Sequence, residues 1–243
     1  MSFFGFVIYI QIYFSEQEMF ARFWRADWLT ISVVSRMALP ISATALAESG
    51  LFAASALMMG WLGHLELAAH GIVLQLAAMT FMVHMGLAQA GTVRVGKAFA
   101  RQEWDAVRLT AKVSISLSTV FAIITMACFF GIPNFLIGIF LDHKDPFSVD
   151  ILRIGTLLLI FAALFQLVDG AQVIALSILR GMQDTRSPMI IAAVSYWLIG
   201  LPVGYVLGFI YDFKEVGIWL GLVVGLLVAA VLLWARFVIL VRN

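Results

Sequence analysis

Six apolar runs, each about as long as a bilayer is thick, leave this chain very few folds to choose from. They cover roughly 33–60, 67–93, 112–140, 150–179, 188–211 and 216–238, near or above the ~20 residues a helix needs to cross ~30 Å of hydrocarbon. The connections are short, GHLE at 63–66 and YDFKE at 211–215 among them, and no soluble domain fits between the runs. Only 12% of residues are charged while 63% are hydrophobic, about half the charge fraction of a soluble protein. Only helices and closed barrels satisfy their own backbone inside lipid, and runs this long are helices. The expected fold is an all-α polytopic membrane protein, a six-transmembrane-helix bundle over 33–243.

The segment before the bundle reads differently. Phe3 to Phe14, FFGFVIYIQIYF, makes only ~18 Å of helix at 1.5 Å per residue, too little to span. Residues 1–14 are therefore expected to be the end of a truncated transmembrane helix, an N-terminal helix stub. They lack the basic n-region and small-residue exit of a cleaved signal peptide. Residues 15–32 place Phe20, Phe23, Trp24 and Trp28 at helical spacing among charges. That pattern predicts a cytoplasmic interfacial linker with its aromatics at headgroup level.

Basic residues set the orientation. Arg22, Arg25, Arg36, Arg94, Lys97, Arg101, Arg108, Lys112, Arg180, Arg186, Arg236 and Arg242 fall at one side of the six runs, and Lys144, Arg153 and Lys214 at the other. The positive-inside rule then makes the linker and the C-terminus cytoplasmic in a multi-pass cell-membrane protein, the inner membrane if the source is bacterial. A net charge of +1 and no basic run longer than two residues offer nothing to nucleic acid. The single cysteine, Cys128, excludes an internal disulfide and a thiolate metal site. Gly200, Gly204 and Gly208, with Gly217, Gly221 and Gly225, form two G-x-x-x-G-x-x-x-G series that predict close packing of the last two helices. Pro40 and Pro202 are expected to kink their helices, and Gly131–Pro133 to bend the end of the third.

Two acids interrupt the apolar runs. Asp169 lies between Arg153 and Arg180 and Glu48 between Arg36 and Gly60, which puts both near the midplane at ~1.5 Å per residue. No buried lysine or arginine is within sequence reach of either. A carboxylate at that depth costs ~2.5–3.5 kcal/mol on the insertion scale, so it is expected to face a cavity and to exchange a proton or a cation there. The alternative is a neutral aspartic acid bonded to a glutamine as packing. Phe165, Asp169 and Gln172 share one helical face, with Gln166 beside them, and Thr44 lies one turn from Glu48. Gln75, Met79 and Met82 stand at i, i+4 and i+7 and are further cavity candidates, although core packing is the stronger reading for the methionines. His70 and His84 have no second ligand at i+3 or i+4, so no histidine metal site is expected. No G-x-S-x-G, H-E-x-x-H, P-loop or G-x-G-D pattern is present, and the chain is not expected to be an enzyme. Intramembrane proteolysis by paired acids remains the enzymatic alternative.

Three blocks carry a resemblance: RMALPISATALAESGLFAASALMMGWLG, LELAAHGIVLQLAAMTFMVHMGLAQAGTVRVGKAFAR and LFQLVDGAQVIALSILRGMQDTRSPMIIAAVSYWLIGLPVGYVLG. From about Trp24 onward the chain resembles the C-terminal half of the MATE (multidrug and toxic compound extrusion) antiporters, NorM-like branch. The resemblance implies one half of a two-bundle transporter, with the N-terminal six-helix bundle as missing partner. It also implies that Glu48 and Asp169 couple Na⁺ or H⁺, the only metal or ion expected and no other cofactor, to the export of cationic or aromatic drugs across the lipid bilayer. Phe165 stands where sodium-driven relatives can place a tyrosine, and Gln75 where an asparagine is common. A lipid-linked saccharide flippase of the same superfamily, and a non-transporting subunit or remnant, are the other readings.

Overall fold

The computed structural model describes Gly5, residues 26–141 and residues 146–242. The expected stub and the linker as far as residue 25, with Arg22 and Arg25, lie outside the described residues, Gly5 apart, and so does Lys144. The described helices are α1 (Trp28–Leu62), α2 (His64–Ala100), α3 (Trp104–Gly131), a short α4 (Pro133–Gly138), α5 (Ser148–Gly181), α6 (Arg186–Ile210) and α7 (Lys214–Arg242). All but α4 are long and apolar enough to cross a membrane, which makes six among the described residues.

Local chemistry explains where these helices start and stop. Asp27 accepts the N–H groups of Leu29 and Thr30 at 3.1 and 3.2 Å and the Thr30 hydroxyl at 2.7 Å. It is thus an N-cap, and α1 opens at Trp28 rather than at 33. The Thr30 hydroxyl, helped by the two backbone donors, holds the Asp27 carboxyl below its usual range. The chain divides into two compact units at Leu39–Pro40, where proline removes a helix donor. The α2 and α5 ends both turn through a left-handed glutamine, Gln102 at φ 59° and Gln183 at φ 63°. Each turn closes on its helix, Glu103 N–H to Ala98 O at 2.9 Å and Asp184 N–H to Leu179 O at 3.0 Å, a C-terminal stop. Asp184 then accepts the Ser187 N–H at 3.2 Å and Arg236 Nε at 2.9 Å, so the QDTR segment ties α5, α6 and α7 together. Gly131–Pro133 breaks the chain as expected, α3 stopping at Gly131 and α4 starting at Pro133.

The expected kink at Pro202 takes a different form. Around the short segment Leu201–Tyr205, α6 widens into π-helical turns over Val194–Gly200 and Val206–Ile210. Wider turns absorb the donor that proline lacks. The glycine series pair antiparallel: a methyl placed on Gly200 would meet the Gly225 Cα at 3.0 Å, while Gly221 abuts Gly204 and Gly217 abuts Gly208. These contacts let the α6 and α7 backbones touch.

In the second unit α5 is the hub, packed against α2, α3 and α7. Two apolar cores lie along it. One gathers Leu51, Met59, Val73, Leu158, Leu159 and Trp219, and the other Val95, Val107, Ile174, Ile178, Leu179 and Leu233. Between them α5 carries Gln166, Asp169, Gly170 and Gln172, all buried. From Pro40 onward, α1 is held by side chains rather than close backbone approach: Trp197 Nε1 donates to Ala47 O at 3.2 Å, and Phe52 meets Phe165 edge-on with centroids 6.0 Å apart.

Candidate functional site

The polar layer of α5 opens on one side into a cavity of about 330 Å³ between α1, α2 and α5. Glu48 and Phe52 enter it from α1, Gln75, Ala78 and Phe81 from α2, and Phe165 and Asp169 from α5. The structure thus brings together four of the expected residues: Glu48, Gln75, Phe165 and Asp169. Phe165 contributes a ring edge-on to both Phe52 and Trp219, and no oxygen. The walls are otherwise apolar, so the cavity offers charge but little hydrogen bonding.

Asp169 is the deeper acid, 3% exposed, and its Oδ1 is buried with no hydrogen-bond partner. Glu48 is half-buried and close enough for the two carboxylates to feel each other's charge. Two like charges facing one low-polarity space repel, and an ionised pair there needs a proton or a cation between or beside it.

Other expected cavity residues turn elsewhere, for stateable reasons. Thr44 is buried and donates its hydroxyl to Pro40 O at 2.8 Å, bracing the turn after the proline. Met79 is exposed on the surface of this chain rather than facing the cavity. Gln166 points toward α2, where Nε2 donates to Ala77 O at 2.8 Å and to the Thr80 hydroxyl. Gln172 Nε2 donates to the Tyr196 hydroxyl on α6 at 2.6 Å. These glutamines therefore hold helices together around the acid and do not line the space beside it. Both histidines are fully buried: His70 lies 3.4 Å from Ser55 and edge-on to Trp219, and His84 Nδ1 lies 2.7 Å from Ser118 Oγ. A methyl on Gly170 would meet the His84 ring at 2.7 Å, so the glycine beside Asp169 makes room for it.

Two residues escaped the sequence reading. Arg180 is half-buried and its guanidinium lies within electrostatic range of both Glu48 and Tyr196, which corrects the expectation that neither acid has a basic neighbour. The signal was available: Arg180 lies eleven positions beyond Asp169, about three helical turns, and so returns to the same face. A long side chain can then reach back along the helix surface. Tyr196 is fully buried and feels the charge of Glu48 and Asp169. Its place depends on which way a widened helix turns, and no spacing in the sequence announces that.

The MatE family profile matches residues 40–206. The chain belongs to the MatE family. It is 43% identical over 226 residues to the probable multidrug resistance protein NorM of Agrobacterium fabrum, covering 93% of this chain and 49% of that protein. A protein of the same name from Rhizobium meliloti is 44% identical, with 93% and 48% covered. This MatE chain spans about half the length of these curated relatives. Among solved structures, a crystal structure of MATE in complex with MaD3S superposes with a TM-score of 0.83 at 15% identity, covering 97% of this chain and 52% of that one. An outward-facing multidrug resistance MATE transporter of the MOP superfamily gives 0.79 at 17% identity, covering 96% and 52%. The shared fold is a helical bundle, and the match covers about half the length of each of those chains.

Proposed function

We propose that this MatE chain is the C-terminal bundle of a cation-coupled exporter, in which Glu48 and Asp169 exchange Na⁺ or H⁺ for a cationic or aromatic drug by alternating access. The observation that carries the reading is the shared cavity, lined by both Glu48 and Asp169, with one oxygen of Asp169 buried and without a hydrogen-bond partner. A cation entering the cavity neutralises the pair, and an organic cation competes for the same negative charge. Gln75 is the polar neighbour able to add an amide oxygen, while Phe52, Phe81 and Phe165 offer ring faces and edges to an aromatic solute. Arg180 acts as a tethered positive charge that Glu48 feels, so that Asp169 becomes the acid most in need of a mobile cation. The chain crosses the cell membrane with its C-terminus cytoplasmic, as the arginine and lysine bias supports. Inward movement of one charge down ~100 mV releases ~2.3 kcal/mol to drive export.

Asp169→Asn in a two-bundle version tests the assignment. The amide is cheaper to bury than a carboxylate, so membrane insertion stays near normal while gradient-driven drug efflux from vesicles is lost. Undiminished efflux overturns the coupling role. The saccharide-flippase reading draws on one observation, the half-buried Arg180, which could meet a lipid phosphate. Its charge is already opposed by Glu48, and this weakens that reading.

A further inference from the structure

A pair of adjoining spaces lies away from the acids, along the seam of α2 and α3. At membrane depth it is an apolar groove of about 340 Å³, lined by Leu87, Ala90 and Arg94 of α2 and by Leu109, Val113 and Leu117 of α3. Small residues open it, since Gly91 lies so close to α3 that a methyl there would meet Ser114 Oγ at 3.3 Å. The groove runs into a pocket of about 210 Å³ at the basic end of the bundle, lined by Arg94, Lys97, Arg101, Glu103 and Thr110. Arg94, Ala106 and Thr110 line both spaces, so the two adjoin.

Charge in the mouth is unbalanced. Three cations face one acid, and that acid, Glu103, stands 4.0 Å from Arg101. Among the described residues Arg94 and Lys97 have neither an ion pair nor a side-chain hydrogen bond. The Thr110 hydroxyl spends its hydrogen on Ala106 O at 2.8 Å, which leaves recognition of an anion to the cations. Depth matches too: fourteen residues separate Leu87 from Arg101, or ~21 Å of helix, one leaflet with its headgroup layer. The seam also faces away from the acid cavity. Leu74 and Ala78 line that cavity, and Ala90 and Arg94, sixteen positions further on, line this groove, about 160° round the α2 axis at ~100° per residue. A second bundle closing over the acids would leave this seam to lipid.

We propose that the α2–α3 seam is a binding site for an anionic phospholipid, with the phosphate between Arg94 and Lys97 and one acyl chain in the groove. Basic pockets between helices at the headgroup level suit such lipids, and the apolar groove favours a lipid over a free anion. A cationic solute is repelled by the same charges. The site is independent of the transport reading, because none of its residues lines the acid cavity.

The test uses the purified chain in detergent, with phosphatidylglycerol or phosphatidylcholine of identical acyl chains titrated in and retention read by native mass spectrometry. Phosphatidylglycerol should be retained at least fivefold better. Arg94→Gln and Lys97→Gln should each weaken its retention roughly fivefold, the equivalent of ~1 kcal/mol per charge, and leave phosphatidylcholine unchanged. Ala90→Trp, which narrows the groove without altering charge, should weaken phosphatidylglycerol as well, with circular dichroism confirming that the helices remain. Equal retention of the two lipids overturns the proposal, as does unchanged retention in the charge variants. Displacement by millimolar inorganic phosphate also overturns it, since the site would then hold only a headgroup anion.

Discussion

At the scale of single residues, the buried polar layer divides its work between holding and facing. Gln166 and Gln172 spend their amide donors on neighbouring helices, while Asp169 between them lines the cavity and has one buried oxygen without a hydrogen-bond partner. The Gln172–Tyr196 bond is a holding contact of this layer that can be tested cleanly. Tyr196→Phe leaves the Gln172 amide donor buried without a partner, which costs about 1–3 kcal/mol. The expected result is a lower thermal unfolding midpoint in detergent. Adding Gln172→Leu removes both partners at once and should recover most of the loss, since deleting a matched pair costs far less than orphaning one member. Additive losses in the double variant would mean the two side chains act separately.

At the scale of elements, the α6–α7 hairpin depends on glycine more than on any large side chain. Gly221 is the tightest test, because a methyl there would press on Gly204 and would stand 2.8 Å from Gly200 O. Backbone cannot step aside as a flexible side chain can, so Gly221→Leu must push the two helices apart. We expect a loss of at least the ~1–3 kcal/mol typical of an overpacked core, read as a drop in unfolding temperature or in the yield of monodisperse protein. Gly86 has nothing within 4 Å of an added methyl, so Gly86→Ala should be neutral or gain up to ~1 kcal/mol from helix propensity. Equal behaviour of the two variants would remove the close-approach explanation.

At the scale of the whole molecule, the described residues wall the acids with three helices. The cavity is built from α1, α2 and α5 of a single bundle, whereas alternating access is largely one bundle rocking against another about a midplane site. The chain by itself is therefore expected to insert and pack but not to transport. Purified chain in proteoliposomes, with an imposed Na⁺ or H⁺ gradient, should show no drug accumulation beyond empty vesicles. Robust accumulation without a second polypeptide refutes the two-bundle requirement, and crosslinking would then show whether two copies pair in parallel to supply both walls.

Much of this was legible in the sequence because the bilayer imposes it locally. Six runs of sufficient length dictated six helices, since lipid allows the backbone no other way to satisfy itself, and two midplane acids marked the place where lipid could not be the neighbour. The glycine spacing foretold a hairpin for the same kind of reason: periodicity along one helix names a face. Spacing does not say what that face meets. Thr44 and Met79 had suitable positions and turned to a backbone carbonyl and to the surface of this chain, while Gln172 found Tyr196 across a widened turn of α6. Arg180, on the Asp169 face of α5, feels the charge of Glu48 on another helix. Which faces oppose one another is settled by packing between helices distant in sequence, and only the tertiary structure could decide it.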